Sequence, residues 1–327
     1  MIRISAGLCI GLAALGLLSL TSGEYRISPD DILTVLAGAP EALPTGVEMI
    51  LFDFRMPRLI LAALVGAALA VAGTVAQAIL RNPLAEPGIL GINAGAALAV
   101  MALAAFVENA SVSLQPLAGF LGALAMAAAI FGIAWKDGTT SLRIILIGVG
   151  LNALAGAGSA CLANFGNADD VQRAMIWMAG SLHHAHWEDV RRLTFWLAVP
   201  CLVIMLVWRE LDLTRFGDLV ARGLGQPVDP MRALMILLCT LVSGAAVAAA
   251  GLIGFVGLVA PHVARRLIGP GHARLLPISA LMGAVLVVAA DLVGRVMLAP
   301  AELPVGIVTA LVGVPFFAYL LWSWRDA

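Results

Sequence analysis

The residues able to do chemistry are few, and they stand at the edges of long apolar runs. Arg55 and Arg58 are three apart in Arg55-Met56-Pro57-Arg58, so on a helix they share one face. Arg295 closes another apolar run, with Asp291 one turn before it and within pairing reach. Asn82-Pro83-Leu84 ends a third run, where Pro83 disfavours helical backbone at Asn82 and forces a turn. His183, His184 and His186 cluster in a polar stretch, and His262 follows Pro261, but neither group has a cysteine or carboxylate set at ligand spacing. Capping and packing are the simpler reading of these imidazoles, and no metal is expected. Cys9, Cys161, Cys201 and Cys239 all fall inside apolar runs with no paired spacing, as small buried hydrophobes would. The sequence has no phosphate-binding G-x-x-x-x-G-K-[ST] loop and no H-E-x-x-H helix. What this inventory offers is charge pairing and a capped turn. It offers no catalytic set and calls for no cofactor.

The elements that carry these residues must sit in lipid. Of 327 residues 61% are hydrophobic and 12% charged, where a soluble domain has roughly a quarter charged. A span needs about 20 apolar residues. Ten segments approach that length, at 2–22, 58–80, 92–107, 114–135, 142–165, 191–208, 231–251, 255–268, 274–297 and 305–324. The third and eighth are short and glycine-interrupted, which marks broken helices shielded by neighbours or lining a cavity. The expected fold is an all-α polytopic bundle of about ten membrane-spanning helices, forming one domain over 1–327. The first segment carries one basic residue and lacks a good cleavage site, so it reads as a retained helix and not a signal peptide. With 34 Gly and abundant Ala, the helices can pack closely, as lipid requires.

An even number of spans puts both termini on one side. Placing them in the cytoplasm puts Arg3, Arg81, Lys136, Arg143, Arg209, Arg215, Arg222, Arg232, Arg265, Arg266, Arg274 and Arg325 inside. Arg26, Arg55, Arg58, Arg173, Arg191, Arg192 and Arg295 are then outside, so the basic residues divide 12 against 7 in the direction of the positive-inside rule. The outer loops also take most acids, among them Glu24, Asp30, Asp31, Glu41 and Glu48. A net charge of −1 implies no nucleic-acid partner. The outer stretch 23–57, with Pro29, Pro40 and Pro44, reads as a partly ordered loop, and Val171 to Leu182 as a short surface helix. The inner stretch 209–230 differs: apolar residues recur at helical spacing with a Gly223/Gly225 break and Pro227 behind, giving two short helices outside the bilayer.

One run is specific. RMPRLILAALVGAALAVAGTVAQAILRNPLAEPGILGINAGA, from Arg55 to the end of the N-P-L-A-x-P-x-[IL]-L-G turn and its flank, resembles the ferric-siderophore, haem and cobalamin permease family of type II ABC importers. A second block, GFVGLVAPHVARRLIGPGHARLLPISALMGAVLVVAADLVGRVMLAPAELPVGIVTALVGVP, extends the likeness over nearly the whole chain. The resemblance implies a permease in the bacterial cytoplasmic (inner) membrane, paired with a second copy or paralogue. Two ATP-binding subunits would dock below and a periplasmic or lipid-anchored binding protein above. The cargo it implies is an iron(III) chelate, a siderophore complex or ferric citrate, with cobalamin or haem as the alternatives.

The same resemblance suggests roles for individual residues. Arg55, Arg58 and Arg295 would dock the binding protein through ion pairs, although each alone also reads as a snorkelling anchor. Asn82 and Leu84 on one side, and Thr140, Ser141 and Leu142 on the other, would form a cytoplasmic gate. The small-residue helix 148–166, with Asn152, Ser159 and Asn164, would line a wide translocation path, or else pack tightly. Arg215, Phe216, Gly217, Asp218, Leu219, Arg222, Leu224 and Gly225 would form the coupling helices that meet the ATPase, with a hairpin on lipid headgroups as the other reading. An ion-coupled transporter would need carboxylates or histidines inside the spans, and only Asp291 comes near that.

Overall fold

A computed structural model describes residues 2–23, 25–37, 46–108, 110–136 and 138–323; Glu24, Pro40, Glu41, Pro44 and Arg325 of the sequence reading lie outside them. The described residues form helices α1 (Ile2–Thr21), α2 (Pro29–Leu36), α3 (Val47–Met49), α4 (Met56–Leu80), α5 (Ile92–Phe106), α6 (Gln115–Ala134), α7 (Ser141–Leu162) and α8 (Ala168–Met178). They continue as α9 (Trp187–Leu206), α10 (Trp208–Thr214), α11 (Asp218–Gly223), α12 (Val228–Ala250), α13 (Val256–Ile268), α14 (His272–Val296) and α15 (Val305–Ser323). No strand occurs among the described residues. Each apolar segment expected from the sequence coincides with a helix. Ile2–Thr21, Val47–Leu80, Val112–Ala134, Ser141–Leu162, Val228–Ala250 and His272–Val296 are long and apolar enough to cross a membrane alone, while α9 and α10 meet at a 60° bend. Helices α5 and α15 are shorter, and α13 has only 13 residues.

The boundaries depart from expectation where charge interrupts hydropathy. The second span starts at Val47, runs through a π-helical turn at Ile50–Arg55 and continues unbroken into α4. Asp53 and Arg55 hide this turn from an apolar window, yet Arg55 is buried, because its guanidinium donates to the carbonyls of Leu20 and Tyr25. Within the outer stretch read as loop, Ser28 caps α2: its hydroxyl accepts from Asp31 N at 3.1 Å while Ser28 N donates to Asp31 Oδ2 at 3.0 Å. The surface helix α8 stops at Met178, short of the expected Leu182, because Gly180 turns at φ +71° against the carbonyl of Leu252.

Helix α4 is the axis of the bundle, buried along most of its length and packed by α14, α12, α13 and α9. Its two closest approaches are backbone to backbone. A Cβ on Gly66 would stand 2.2 Å from the carbonyl oxygen of Gly283, and one on Gly73 would stand 1.9 Å from that of Gly257. Lipid gives helices no hydrophobic reason to associate, so such small-residue contacts supply the dispersion that holds α4, α13 and α14 as one block. The chain between α12 and α13 is broken at residues 251–255, where Gly251 (φ +72°) and Phe255 (φ +66°) adopt left-handed backbone. That break is buried in the protein, where non-helical backbone at membrane depth is tolerated.

Candidate functional site

At the end of the bundle expected to face outward, one carboxylate pairs with two arginines and a third lies near them. Asp291 of α14 is 2% exposed and uses both oxygens: Oδ1 lies 2.9 Å from Arg58 Nη2, and Oδ2 lies 3.1 Å from Arg295 Nε. Arg58 also donates from Nη1 to Glu302 Oε2 at 3.0 Å, and His183 Nδ1 lies 2.8 Å from the same oxygen. Arg295 reaches back to α1, donating to Ser19 Oγ at 2.6 Å. Burial works against the charge of Glu302, but Arg58 and His183 outweigh it and hold the carboxyl below the usual range. Arg55, Arg58 and Arg295 are therefore gathered at one end, each largely buried and each with partners inside the chain. His183, one of the three clustered histidines, joins them through Glu302; its ring also packs edge-on to His184 at 4.7 Å.

At the other end lie the two segments expected to form a gate. Asn82 Oδ1 accepts from Leu84 N at 2.9 Å, closing a local turn just after Arg81, which ends α4 in left-handed backbone at φ +48°. Across from it Thr140 caps α7, its hydroxyl 3.4 Å from Arg143 N, and Ser141 Oγ donates to Ile79 O at 2.8 Å. The start of α7 is thereby fastened to the end of α4, and Leu142 stands 66% exposed beside it.

Helix α7 crosses between the two ends. Asn152 donates to Gly88 O at 3.0 Å, and a Cβ on Gly148 would lie 2.2 Å from Ile89 O, so α7 clamps the 3-10 turn Pro87–Leu90 that precedes α5. Ser159 and Asn164 bond back to their own helix, to Ala155 O and Ala160 O, both at 2.9 Å. The remaining face is open: Gly150 and Gly156 have nothing within 4 Å of a notional Cβ, and Leu146, Val149 and Leu154 are exposed. Beside the same turn Glu86, half-buried, accepts from Phe255 N at 3.3 Å, where α13 begins. A carboxylate at a helix start is favourable electrostatically, and it is a further acid withdrawn from the surface, beyond the buried Asp170 and Asp291. Sequence gives no sign of it, because the chain from Asn82 to Pro87 folds back to the level of Gly257.

The stretch 209–230 forms α10 and α11 as two short helices. Phe216, Leu219, Val220 and Leu224 are exposed, Leu219 at 86%, while Gly217 (φ +90°) and Gly225 (φ +87°) supply the turns. Around that rim, Arg215 is exposed and Asp218 half-buried, and both also have partners inside the chain. Arg215 donates to Pro270 O at 3.2 Å and Asp218 Oδ1 accepts from Arg232 at 2.8 Å. His262 packs edge-on to Phe316, ring centroids 6.1 Å apart.

Glu302 and Glu86 had no signal in the sequence. Each acts across more than a hundred residues on a partner with which it shares no helical spacing.

Comparison with known proteins agrees with this architecture. A model of the FecCD transport family matches residues 11–323. The chain is 40% identical over 311 residues to the iron(3+)-hydroxamate import system permease protein FhuG of Bacillus subtilis, covering 93% of this chain and 92% of the relative. It is also 40% identical over 297 residues to the cobalamin import system permease protein BtuC of Halobacterium salinarum, covering 90% and 79%. Among solved structures, an inward-facing metal-chelate type ABC transporter superposes with a TM-score of 0.88 at 30% identity, over 99% of this chain and 100% of the other. With the family model spanning nearly the whole length, this multi-pass membrane protein belongs to the FecCD transport family.

Proposed function

We propose that the chain is the permease subunit of an ABC importer in the bacterial cytoplasmic membrane, with both termini cytoplasmic, and that it carries an iron(III) chelate inward. It works beside a second permease copy or paralogue, takes its energy from separate ATP-binding subunits and receives its cargo from a binding protein on the outer face. The observation that carries this reading is the α10–α11 hairpin. An apolar rim of Phe216, Leu219, Val220 and Leu224 is left exposed by a short hairpin whose other face, through Leu211 and Ala221, is buried. Exposed apolar patches of this kind mark protein contacts, and Arg222 beside the rim adds the charge that orients a partner. The hydroxamate permease relative supports a ferric chelate as cargo.

The open face of α7, free of ionisable side chains from Gly148 to Gly166, suits a path or a subunit contact through which a bulky chelate moves without ion coupling. Asn82 and Leu84 with Thr140, Ser141 and Leu142 form the cytoplasmic gate, and the end bearing Arg55, Arg58 and Arg295 receives the binding protein. A docking carboxylate reaches Arg58 by replacing Glu302, the more exposed of its two partners.

The test is reconstitution into liposomes with the ATPase and binding protein of its importer, following uptake of radioactive iron as hydroxamate and citrate chelates, with cyanocobalamin and haemin in parallel. ATP-dependent accumulation of a ferric chelate is expected. Leu219→Asp should weaken ATPase association by about 30-fold or more, as loss of an anchor worth about 2 kcal/mol or more would. Uptake of cyanocobalamin or haemin alone would overturn the cargo, and ATPase binding unaffected by Leu219→Asp would overturn the hairpin's role.

A further inference from the structure

The α10–α11 hairpin is joined to both halves of the gate through one side chain. Asp218, the first residue of α11, accepts through Oδ1 from Arg232 Nη2 at 2.8 Å, and the same oxygen lies 3.8 Å from Arg81 Nη2. Arg81 is the residue before Asn82, at the start of the turn that carries Leu84. Arg232, on α12, is 6% exposed and forks: while Nη2 holds Asp218, Nη1 donates to the carbonyl of Thr139 and lies 2.9 Å from its hydroxyl. Thr139 is the residue before Thr140, Ser141 and Leu142. A single carboxylate on a six-residue helix thus reaches the neighbour of each gate segment, one directly and one through a buried guanidinium.

A second thread runs beside the first. Asp229 Oδ1 accepts from Thr139 N at 2.9 Å, and Asp229 Oδ2 accepts from Arg222 Nη2 at 2.9 Å. Arg222 is on α11, so both ends of that helix are tied to Thr139. The α10–α11 corner also rests on Arg81, since a Cβ on Gly217 would stand 3.2 Å from Arg81 Nη1. Thr139 has its N–H, its carbonyl and its hydroxyl all engaged by residues that bond α11. Threonine bonding of this completeness fixes a loop to the helix it serves.

We propose that Asp218 and Arg232 are positioning residues for transport, converting displacement of α11 by the ATPase into concerted movement of the Asn82–Leu84 and Thr140–Leu142 segments. This rests on the permease reading above and adds to it the route by which the hairpin acts. A guanidinium is needed at position 232 because a planar fork can hold a carboxylate and a carbonyl at once, which an ammonium does not do in fixed geometry. Both contacts exist only while α11 stays within reach of the gate loop, so motion of one is imposed on the other.

The experiment uses the complete importer in liposomes. Asp218→Asn and Arg232→Lys are made separately and together, with Glu188→Gln, an exposed pair far from the hairpin, as control. The expected result is that Arg232→Lys, which lies outside the docking hairpin, binds the ATPase and hydrolyses ATP while uptake per ATP falls by about 5- to 150-fold, the usual span of coupling between sites, and that Asp218→Asn shows the same fall in uptake. The double variant should lose no more than the worse single one, because the two residues act in one connection. Spin labels at Leu84→Cys and Leu142→Cys, with the four native cysteines replaced, supply a readout that folding alone does not move. Their separation should change with nucleotide in the otherwise unsubstituted importer and in the control, and stay fixed in Asp218→Asn. If Asp218→Asn fails to assemble, Arg232→Lys, which keeps the charge, carries the same measurement. A label separation that still responds fully to ATP in both variants would overturn the proposal. An unsubstituted importer that neither binds the ATPase nor responds to nucleotide would overturn the permease reading instead, and that result is seen before any variant is made.

Discussion

The two ends of the bundle use the same device for opposite purposes. Each has one carboxylate shared by two arginines: Asp291 by Arg58 and Arg295, and Asp218 by Arg232 and Arg81. Asp291 is buried, and its partners stand on α4 and α14, which already touch backbone to backbone at Gly66 and Gly283. It braces a block that packing has made rigid. Asp218 is 23% exposed and sits on a six-residue helix whose apolar face is in water. Its salt links join parts that share little buried surface. The same chemistry stiffens where packing is dense, and transmits where packing is sparse.

That contrast can be broken most forcibly at Asp291. Asp291→Ala leaves two buried guanidinium groups without their shared acceptor, and breaking a buried pair costs about 3–5 kcal/mol. A corresponding fall in thermal stability of the detergent-purified chain is expected, with assembly failing before transport can be read. Little change in melting would show that Glu302 and Ser19 satisfy these arginines unaided. Next in size is Gly73→Ala, which drives a methyl against the Gly257 carbonyl; overpacking of this kind costs about 1–3 kcal/mol. It should lower the melting temperature and leave ATPase binding to the hairpin intact, since Gly73 and Gly257 pack in the interior of the block and the exposed rim of α11 is not part of that contact. Loss of ATPase binding without loss of stability would erase the distinction drawn here.

The smallest effect sharpens the comparison. Glu302 is 31% exposed, so its pairs with Arg58 and His183 contribute at most about 1 kcal/mol. Its carboxyl is depressed in the folded chain. A depressed acid contributes stability above its unfolded pKa, and that contribution is lost as pH falls through the folded value. The tie between the 180–186 and 298–304 loops should therefore loosen below the ordinary carboxylate range, and Glu302→Gln should remove that part of the acid response. Hydrogen exchange of the two loops at neutral and acid pH measures it. Identical acid responses in the chain and in Glu302→Gln would remove Glu302 from the account.

Much of the bundle is legible in the sequence because lipid imposes a single rule on every span. Apolar runs such as 114–135 and 274–297 match α6 and α14 to within a residue or two. The rule fails where charge is satisfied internally. Arg55 and Arg58 break the hydropathy of a helix that in fact begins at Val47, because carbonyls of a neighbouring segment and a carboxylate on α14 take the place of water. The arginine cluster was visible as residue types at helix ends, but its organiser was only half visible. Asp291 has helical spacing to Arg295 alone, and its bond to Arg58 spans 233 residues. The hairpin was likewise legible in its apolar rim and its glycines. The bond from Arg232 to Asp218 was not, since the two stand 14 residues apart on different helices with no shared helical spacing.

The manner in which the hairpin is mounted has a mechanical consequence. Helix α10 is pinned: Asp212 Oδ1 accepts from both the backbone N–H of His272 at 3.0 Å and its ring Nδ1 at 2.7 Å, and Gln226 closes the base on Glu210 at 2.8 Å. Helix α11 hangs beyond Gly217, where the chain passes through φ +90° with no Cβ to stiffen it. A force applied at Leu219 meets a fulcrum on one side and, on the other, an arm whose side-chain ties run through Asp218 and Arg222 towards Thr139. The load is borne as torque about Gly217, so a modest stroke at the rim is delivered to Thr139 as a swing.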